Sequence, residues 1–388
     1  MNDFLTEECR SRLIQWRRDF HSHPELAYQE KRTAGIVLQH LQQCGFEVRE
    51  GIGGTGVAGL VEGKAAGKTL MLRADMDCLP VQEENEKPYA SVYAGRMHAC
   101  GHDGHTAILM AVAEQLQKRK DHFKGAAKLV FQPAEEGGNG AEKMIQDGVL
   151  NNPSVDVAFG LHLWNDKPVG QVALNRTALM AGVHSFDLVI HGRGGHGAAP
   201  HQTIDPVVTA SQVINNLQTI VSRNVDPLDT AVVTVGSIHA GSAFNVIADS
   251  AALKGTVRYF NPSLGDRLPQ IFERIVAGTT QSMGASYSLQ YEKATPPTIN
   301  DPAWAEFIRE IAAEIVGSEN VIMDARTMGG EDMSFFLNEV PGCFFFVGSR
   351  NDEKHLNYPH HSPKFDFDEA AREIGAEILC RATEKFLS

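Results

Sequence analysis

The amino-acid sequence predicts an α/β protein with a compact βαββαβ segment inserted into it, and three observations carry that prediction. Apolar runs at residues 69–74, 126–131 and 155–163 have the length of buried strands, with helical spacing between them. Such alternation builds a parallel sheet, whose sites collect at the carboxyl ends of the strands. From about Ala181 the rhythm changes: strands at 184–190, 230–238, 251–260 and 285–291 alternate with helices at 205–223 and 262–283. That order is the order of a ferredoxin-like unit. The expected layout is a larger domain of residues 1–180 and 295–388, with residues 181–294 inserted as a second domain of roughly one hundred residues.

The chain has 388 residues, 43% hydrophobic and 21% charged, an ordinary globular composition. That length is too great for one simple core and agrees with about two domains. A formal net charge of −13 without a long basic run argues against nucleic acid or an anionic membrane as the main partner. No apolar stretch approaches the ~20 residues that span a bilayer. The start, Met1-Asn2-Asp3-Phe4-Leu5-Thr6-Glu7-Glu8, is acidic and lacks the basic and then apolar run of a leader. Six scattered cysteines (Cys9, Cys44, Cys78, Cys100, Cys343, Cys380) do not make a disulfide scaffold, so a cytoplasmic location is expected.

Taken in order, Leu5, Leu13, Ile14 and Trp16 among charges predict a helix over 4–20. It ends near His21-Ser22-His23-Pro24-Glu25, where Pro24 disfavours continuation. The histidines there read equally as a helix end or as functional groups. A second helix spans 33–44 and stops at Gly45. The strand at 69–74 runs into Asp75-Met76-Asp77, two carboxylates at its carboxyl end. Ile108, Leu109, Val112, Ala113 and Leu116 keep helical spacing after the next loop. The strand at 126–131 delivers Gln132-Pro133-Ala134-Glu135-Glu136-Gly137-Gly138, a helix covers 140–148, and the strand at 155–163 carries His162 near its end. After Thr295-Pro296-Pro297, residues 303–316 are helical and Arg326-Thr327-Met328-Gly329-Gly330-Glu331-Asp332 is a glycine-rich loop. A short aromatic strand at 343–347 follows, and His360-His361-Ser362-Pro363 precedes a last helix over 368–386.

The chemistry concentrates in Met97-His98-Ala99-Cys100-Gly101-His102-Asp103-Gly104-His105, which packs one thiol, one carboxylate and three imidazoles after Met97. Cys100 and His102 are two apart, so on an extended segment both leave on one face. A thiolate beside an imidazole suits Zn, Ni, Co or Mn better than Ca or Mg. The cluster sits at a helix N-terminus, where the dipole helps hold a thiolate.

Glu136, His162 and His361 join Cys100 and His102 as candidate ligands. Each has an ordinary alternative: a solvated loop acid, a hydrogen-bonded core histidine, a turn residue before Pro363. Jointly they supply the thiolate, imidazole and carboxylate set that a two-metal site needs.

Asp19-Phe20-His21-Ser22-His23-Pro24-Glu25, Leu72-Arg73-Ala74-Asp75-Met76-Asp77, the cluster at 97–105, Gln132-Pro133-Ala134-Glu135-Glu136-Gly137, Gly160-Leu161-His162, Gly194-Gly195-His196 and His361-Ser362-Pro363 occur in this order. Together they resemble the M20 metallopeptidases, and closely the amidohydrolase branch that includes hippurate hydrolase and plant auxin-conjugate hydrolases. The resemblance covers nearly the whole chain. It implies a phosphorylase/hydrolase-like zinc-exopeptidase catalytic domain, with the ferredoxin-like insertion as a lid and dimerisation domain. It also implies two divalent metal ions per subunit (Zn, Mn, Ni or Co). Cys100 stands where the wider superfamily has a bridging aspartate, and His102, Glu136, His162 and His361 complete the two coordination spheres. The wider family's His-x-Asp reads Asp75-Met76-Asp77 here, so the first histidine's role falls to His102, with Asp77 behind it.

By the same resemblance Glu135 is the general base, taking a proton from water and passing it to the leaving nitrogen. His196 would stabilise the oxyanion, often in the partner subunit's site, which implies a homodimer. Asn245 and Arg258 would hold the far end of the substrate, Arg258 by clamping a carboxylate, with the backbone at Gly329 and Gly330 helping. The glycines at 192–197 are a weak dinucleotide signal, because no matching βαβ unit follows. The activity implied is hydrolysis of a small-molecule N-acyl-L-amino acid, hippurate-like, to a carboxylic acid and a free amino acid. Three rivals stand beside it. The same mechanism could serve N-acetyl-diaminopimelate or a dipeptide, the fold could be a catalytically silent peptide-binding protein, or Cys100 could be a nucleophile with a nearby histidine as base.

Overall fold

A computed structural model of the chain describes residues 4–388, so the first three residues of the stretch read for a leader lie outside it. The chain forms two compact units. The larger takes the sequence up to Leu179 with Thr298–Arg326 and Asp332–Ser388, and the smaller takes Met180–Pro297 with Thr327–Glu331. The breaks thus follow Leu179 and Pro297, and residues 327–331 group with the smaller unit instead of with their sequence neighbours. Hydrogen bonding accounts for that: the Ala181 amide donates to the Gly329 carbonyl at 2.9 Å, and Arg258 Nη1 reaches the Met328 carbonyl at 3.4 Å.

The larger unit is built on an eight-stranded sheet that is mixed, and not parallel throughout as the strand–helix rhythm implies. Its centre is parallel: Thr69–Asp75 pairs with Ala126–Gln132 and with Val157–Pro168, and Gly342–Arg350 continues beyond Val157–Pro168. Antiparallel pairing occurs on both sides of that centre: a hairpin, Glu47–Ile52 and Gly56–Glu62, is laid against Ala126–Gln132, and the short strand Val172–Ala173 pairs with Gly342–Arg350. Glycines at 51, 53, 54, 56 and 59 remove the side chains that would reveal a period of two. Gly53 and Gly54 make the turn at φ +63° and +107°, a region other residues rarely enter.

Thr69–Asp75 and Ala126–Gln132 are buried along their whole length, as parallel strands covered on both faces must be. The covering element is the helix His102–Lys118, buried from His102 through Leu116. A helix buried on every side, with its middle turns apolar throughout, belongs inside a core. It packs between the helices Glu7–Ser22 and Ala370–Leu387. The first of these is capped by the Thr6 hydroxyl, which accepts the Cys9 amide and sets the start two residues after Leu5. Leu72, Leu109, Met110, Phe131 and Phe159 are among the fully buried residues of this core, each side chain contributing about 1.5–3 kcal/mol by its removal from water.

The smaller unit has its own core around Phe186, Leu188, Ile190, Val213, Leu253 and Phe272. Its strands lie in the spatial order Ala231–Ala240, Ser250–Tyr259, Gly182–His191, Ser286–Thr295, and every neighbouring pair is antiparallel. Burial alternates along Gly182–His191, the pattern of a sheet covered on one face. The helices Pro206–Leu217 and Pro262–Ser282 pack on it, each with a side-chain cap, Asp205 and Asn261. Among the described residues no helix is long and apolar enough to cross a membrane.

Candidate metal centre

The parallel strands deliver Asp75, Gln132 and His162 toward one edge of the sheet, and the buried helix begins there. Gly101 makes the entry to that helix at φ +95°, so the chain turns within one residue and Cys100 and His102 flank the turn. The His102 Nδ1–H donates to the Asp77 carbonyl at 2.9 Å, which leaves Nε2 buried without a hydrogen-bond partner. In the same way the His162 Nδ1–H donates to the Leu163 carbonyl at 2.7 Å, and its Nε2 faces Cys100 Sγ at 3.4 Å. Bonds of this kind fix the tautomer and free the opposite nitrogen for a cation.

His361 reaches the same place from the far end of the sequence. It adopts φ +66°, unusual for a residue with a Cβ, and its amide donates to the Ala99 carbonyl at 2.8 Å. Its Nε2 lies 3.3 Å from Glu136 Oε1, an oxygen that is itself shut away without a hydrogen-bond partner. The same oxygen is 4.0 Å from His102 Nε2. Cys100, His102 and His162 form one trio whose donor atoms lie within 4.8 Å of one another, and Cys100, Glu136 and His361 form a second. His102, Glu135 and Glu136 make a third. All five candidate ligands are therefore brought together, with the sulfur common to two trios.

His105 also stands close by, in a trio with Asp75 and His102. Both its nitrogens are already used: Nδ1–H donates to Asp75 Oδ1 at 2.6 Å, and Nε2 accepts the Leu163 amide at 2.9 Å. It is a structural brace. Nothing in the sequence spacing reveals this, since Leu163 comes from another strand.

The electrostatics fit a cation. Burial works against a charge on His102, but Asp75 and Asp77 outweigh it and lift the imidazole to about 10. Burial also opposes ionisation of Asp75, yet His102, His105 and Arg73 hold the carboxyl far below its usual range. The Cys100 thiol is pushed far up by burial and by Glu136, Glu135 and Asp75, the opposite of an activated nucleophile. A buried sulfur among carboxylates becomes a thiolate when positive charge lies against it. The unpartnered Nε2 of His102 and Oε1 of Glu136, with this mixed donor set, suit a borderline-soft divalent ion.

Asp77 binds the acidic loop from beneath. Its Oδ1 accepts the Glu135 amide and its Oδ2 the Glu136 amide, both at 3.0 Å. Behind the helix start, Asp103 Oδ2 forms an ion pair with Arg17 Nε at 2.9 Å and accepts a hydrogen bond from His21 Nδ1 at 2.8 Å, while His21 Nε2 meets Glu83 Oε1 at 3.1 Å. His21, ambiguous in the sequence, is thus a buried strut between two carboxylates.

The remaining candidates belong to the smaller unit, where they fall into two groups. The exposed His196 lies on the short strand Gly195–His196, opposite Val246, and the Gly197 amide donates to the Asn245 carbonyl at 2.8 Å. Arg258 is half-buried, has no carboxylate partner among the described residues, and has its pKa lowered by burial alone. A Cβ at Gly330 would stand 2.5 Å from Val183 Cγ2 and 3.4 Å from Arg258 Nη1, so only glycine lets the loop approach that closely. Gly329 contributes the carbonyl that receives Ala181.

Over residues 71–385 the chain matches the family described as Peptidase family M20/M25/M40. It is 40% identical to the N-acetyl-L-cysteine deacetylase of Bacillus subtilis over 375 residues, 97% of this chain and 88% of that protein. To the IAA-amino acid hydrolase ILR1-like 4 of Arabidopsis thaliana it is 39% identical over 392 residues, 99% of this chain and 88% of that one. Among solved structures, the Bacillus subtilis YXEP protein, a dinuclear metal binding peptidase from the M20 family, aligns with a TM-score of 0.85 and 33% identity. That alignment covers 98% of this chain and 99% of the other.

Proposed function

We propose a substrate and a division of labour on one premise: the chain belongs to the Peptidase family M20/M25/M40 and is a hydrolytic enzyme of its amidohydrolase kind. The reaction is hydrolysis of an N-acyl-L-amino acid, hippurate-like, to a carboxylic acid and a free amino acid. Relatives named for acting on N-acetyl-L-cysteine and on IAA-amino acid conjugates support that substrate class.

The observation that carries the reading is the place of Cys100 in two donor trios at once. We assign Cys100, His102, Glu136, His162 and His361 as the residues that would hold two divalent ions (Zn, Mn, Ni or Co). Ions bound there would lower the pKa of water toward ~7 and polarise the scissile carbonyl. Glu135, held by the Asp77 bond to its amide, accepts the proton that water loses and delivers it to the nitrogen as the C–N bond breaks. His196 donates a hydrogen bond to the developing oxyanion, a contribution of typically ~10²–10³ in rate. Arg258 holds the carboxylate of the amino acid, with Asn245, Gly329 and Gly330 around the substrate's far end.

The βαββαβ order and wholly antiparallel sheet of the smaller unit support reading it as a ferredoxin-like lid and dimerisation domain. The enzyme is then a homodimer. A hydrolysis panel of hippurate, N-acetyl-amino acids, N-acetyl-diaminopimelate and dipeptides, with metal content measured alongside, tests the assignment. Turnover confined to dipeptides or to N-acetyl-diaminopimelate would replace the substrate, and metal-loaded protein inert toward the whole panel would remove the reading.

A further inference from the structure

The loop between the first two helices touches the acidic loop at both of its ends. Glu30 is fully buried, and its Oε1 accepts the Ala134 amide at 2.9 Å and the Tyr28 amide at 3.0 Å. Its Oε2 accepts the Thr55 hydroxyl at 2.5 Å. The Tyr28 hydroxyl donates to the Gly138 carbonyl. One short segment therefore grips the loop just before Glu135 and again just after Gly137.

The gripped backbone is not one that forms by itself. Ala134 sits at φ +55°, a left-handed conformation that a residue with a Cβ rarely adopts. A Cβ at Gly138 would fall 2.6 Å from Ala134 Cβ and 3.0 Å from Tyr28 Cε2, so the loop closes on itself against the tyrosine ring. Three consecutive amides, Ala134, Glu135 and Glu136, all end on carboxylates, the first on Glu30 and the other two on Asp77. Asp77 also meets His102. Glu30 touches none of the candidate ligands in any contact described above, and burying a carboxylate is costly unless its hydrogen bonds are needed.

We propose that Glu30 and Tyr28 are positioning residues for the hydrolysis, holding Glu135 and Glu136 in place by clamping their loop at Ala134 and Gly138. The inference rests on the proposed roles of Glu135 and Glu136. A proton carrier displaced by about 1 Å can lose ~10² in rate while substrate binding is untouched, so the clamp acts on kcat and on metal retention, not on KM.

The test uses the full-length chain as Glu30→Ala, Glu30→Gln and Tyr28→Phe. Amide exchange of peptides covering residues 132–140 and Mn²⁺ binding need no turnover; kcat and KM on the panel come third. Glu30→Ala should speed exchange across the loop, weaken Mn²⁺ binding, and cut kcat by about 10²-fold with KM nearly unchanged. Glu30→Gln keeps a carbonyl oxygen for the two amides and should recover most of both losses. Tyr28→Phe removes one hydroxyl and should give the same pattern in weaker form, and it decides the matter if Glu30→Ala does not fold. Unchanged exchange in both truncations overturns the clamp, as does fast exchange with wild-type kcat, or a glutamine variant as impaired as the alanine one. Wild-type protein inactive toward the whole panel would defeat the proposed function alone, leaving exchange and Mn²⁺ binding to judge the clamp.

Discussion

Cys100 holds its sulfur 3.4 Å from Nε2 of His162, an imidazole whose other nitrogen is already committed to the Leu163 carbonyl. The lone pair of that Nε2 and the sulfur thus face a common point. Because the sulfur also belongs to the trio with Glu136 and His361, its removal would strike both halves of the proposed centre.

Cys100→Ala should therefore lower the bound metal toward zero, read by elemental analysis of the purified protein. In the wild type, a chelator should abolish turnover and Zn, Mn, Co or Ni should restore it. Metal at about 100 times its dissociation constant should stabilise the fold by about 2.7 kcal/mol, seen in urea titration with and without the ion. Full metal content in Cys100→Ala would remove the sulfur from the centre.

Glu135→Gln should keep its metal, because the ligand set is intact, and lose about 10²–10⁴ in kcat. Elemental analysis beside steady-state kinetics separates the two. Near-normal turnover would take Glu135 out of the proton path.

Arg258→Ala should raise KM for free-carboxylate substrates by about 10–100-fold, the equivalent of a lost charged hydrogen bond of about 1.5–3 kcal/mol. The methyl ester of the same substrate should show no such change. Equal effects on acid and ester would mean the guanidinium is not the carboxylate clamp.

His21 predicts a pH dependence of stability. Burial and Arg17 oppose its charge, but Asp103 and Glu83 outweigh them and raise its pKa; Asp366, Tyr89 and His98 also face it. A pKa raised in the folded state gives stability that is complete below the unfolded value, about 6.5, and drains away as pH climbs through the folded one. His21→Gln should cost about 1–3 kcal/mol near pH 6 and less near pH 9, measured as the difference from wild type in denaturant titrations. A cost that stays constant across that range would show that His21 is not held charged.

How much of this could be read before any coordinates depends on distance along the chain. Cys100 and His102 were legible because they open a helix, Glu136 because it follows a buried strand and His162 because it lies on one, places that apolar runs and glycines mark locally. His361, in a turn between Arg350 and Ala370, was legible only through the resemblance of its motif. The hairpin at Glu47–Ile52 and Gly56–Glu62 was not, because its glycines erase the alternation. The mixed sheet follows from that omission and from the strand Val172–Ala173, whose two residues are too few to show a period. The braces were equally invisible. Glu30 meets Ala134, His105 meets Leu163 and His21 meets Glu83, and a lone acid or histidine carries no sign of its tertiary partner. Arg258 and Gly330 illustrate the intermediate case: the glycine-rich loop is plain in the sequence, but the need for glycine appears only when Val183 and the guanidinium press against it.

The amide of His361 ends on the carbonyl of Ala99, so the last of the proposed donors to be synthesised is fastened beside the first. A growing chain exposes sulfur, imidazoles and acids long before residue 361 leaves the ribosome, and folds its earlier parts in the meantime. On the proposed ligand set, full ion capture would be a signature of finished translation. Prematurely terminated products would hold ions weakly and forgo the stabilisation that binding confers, which leaves them the easier prey for proteases.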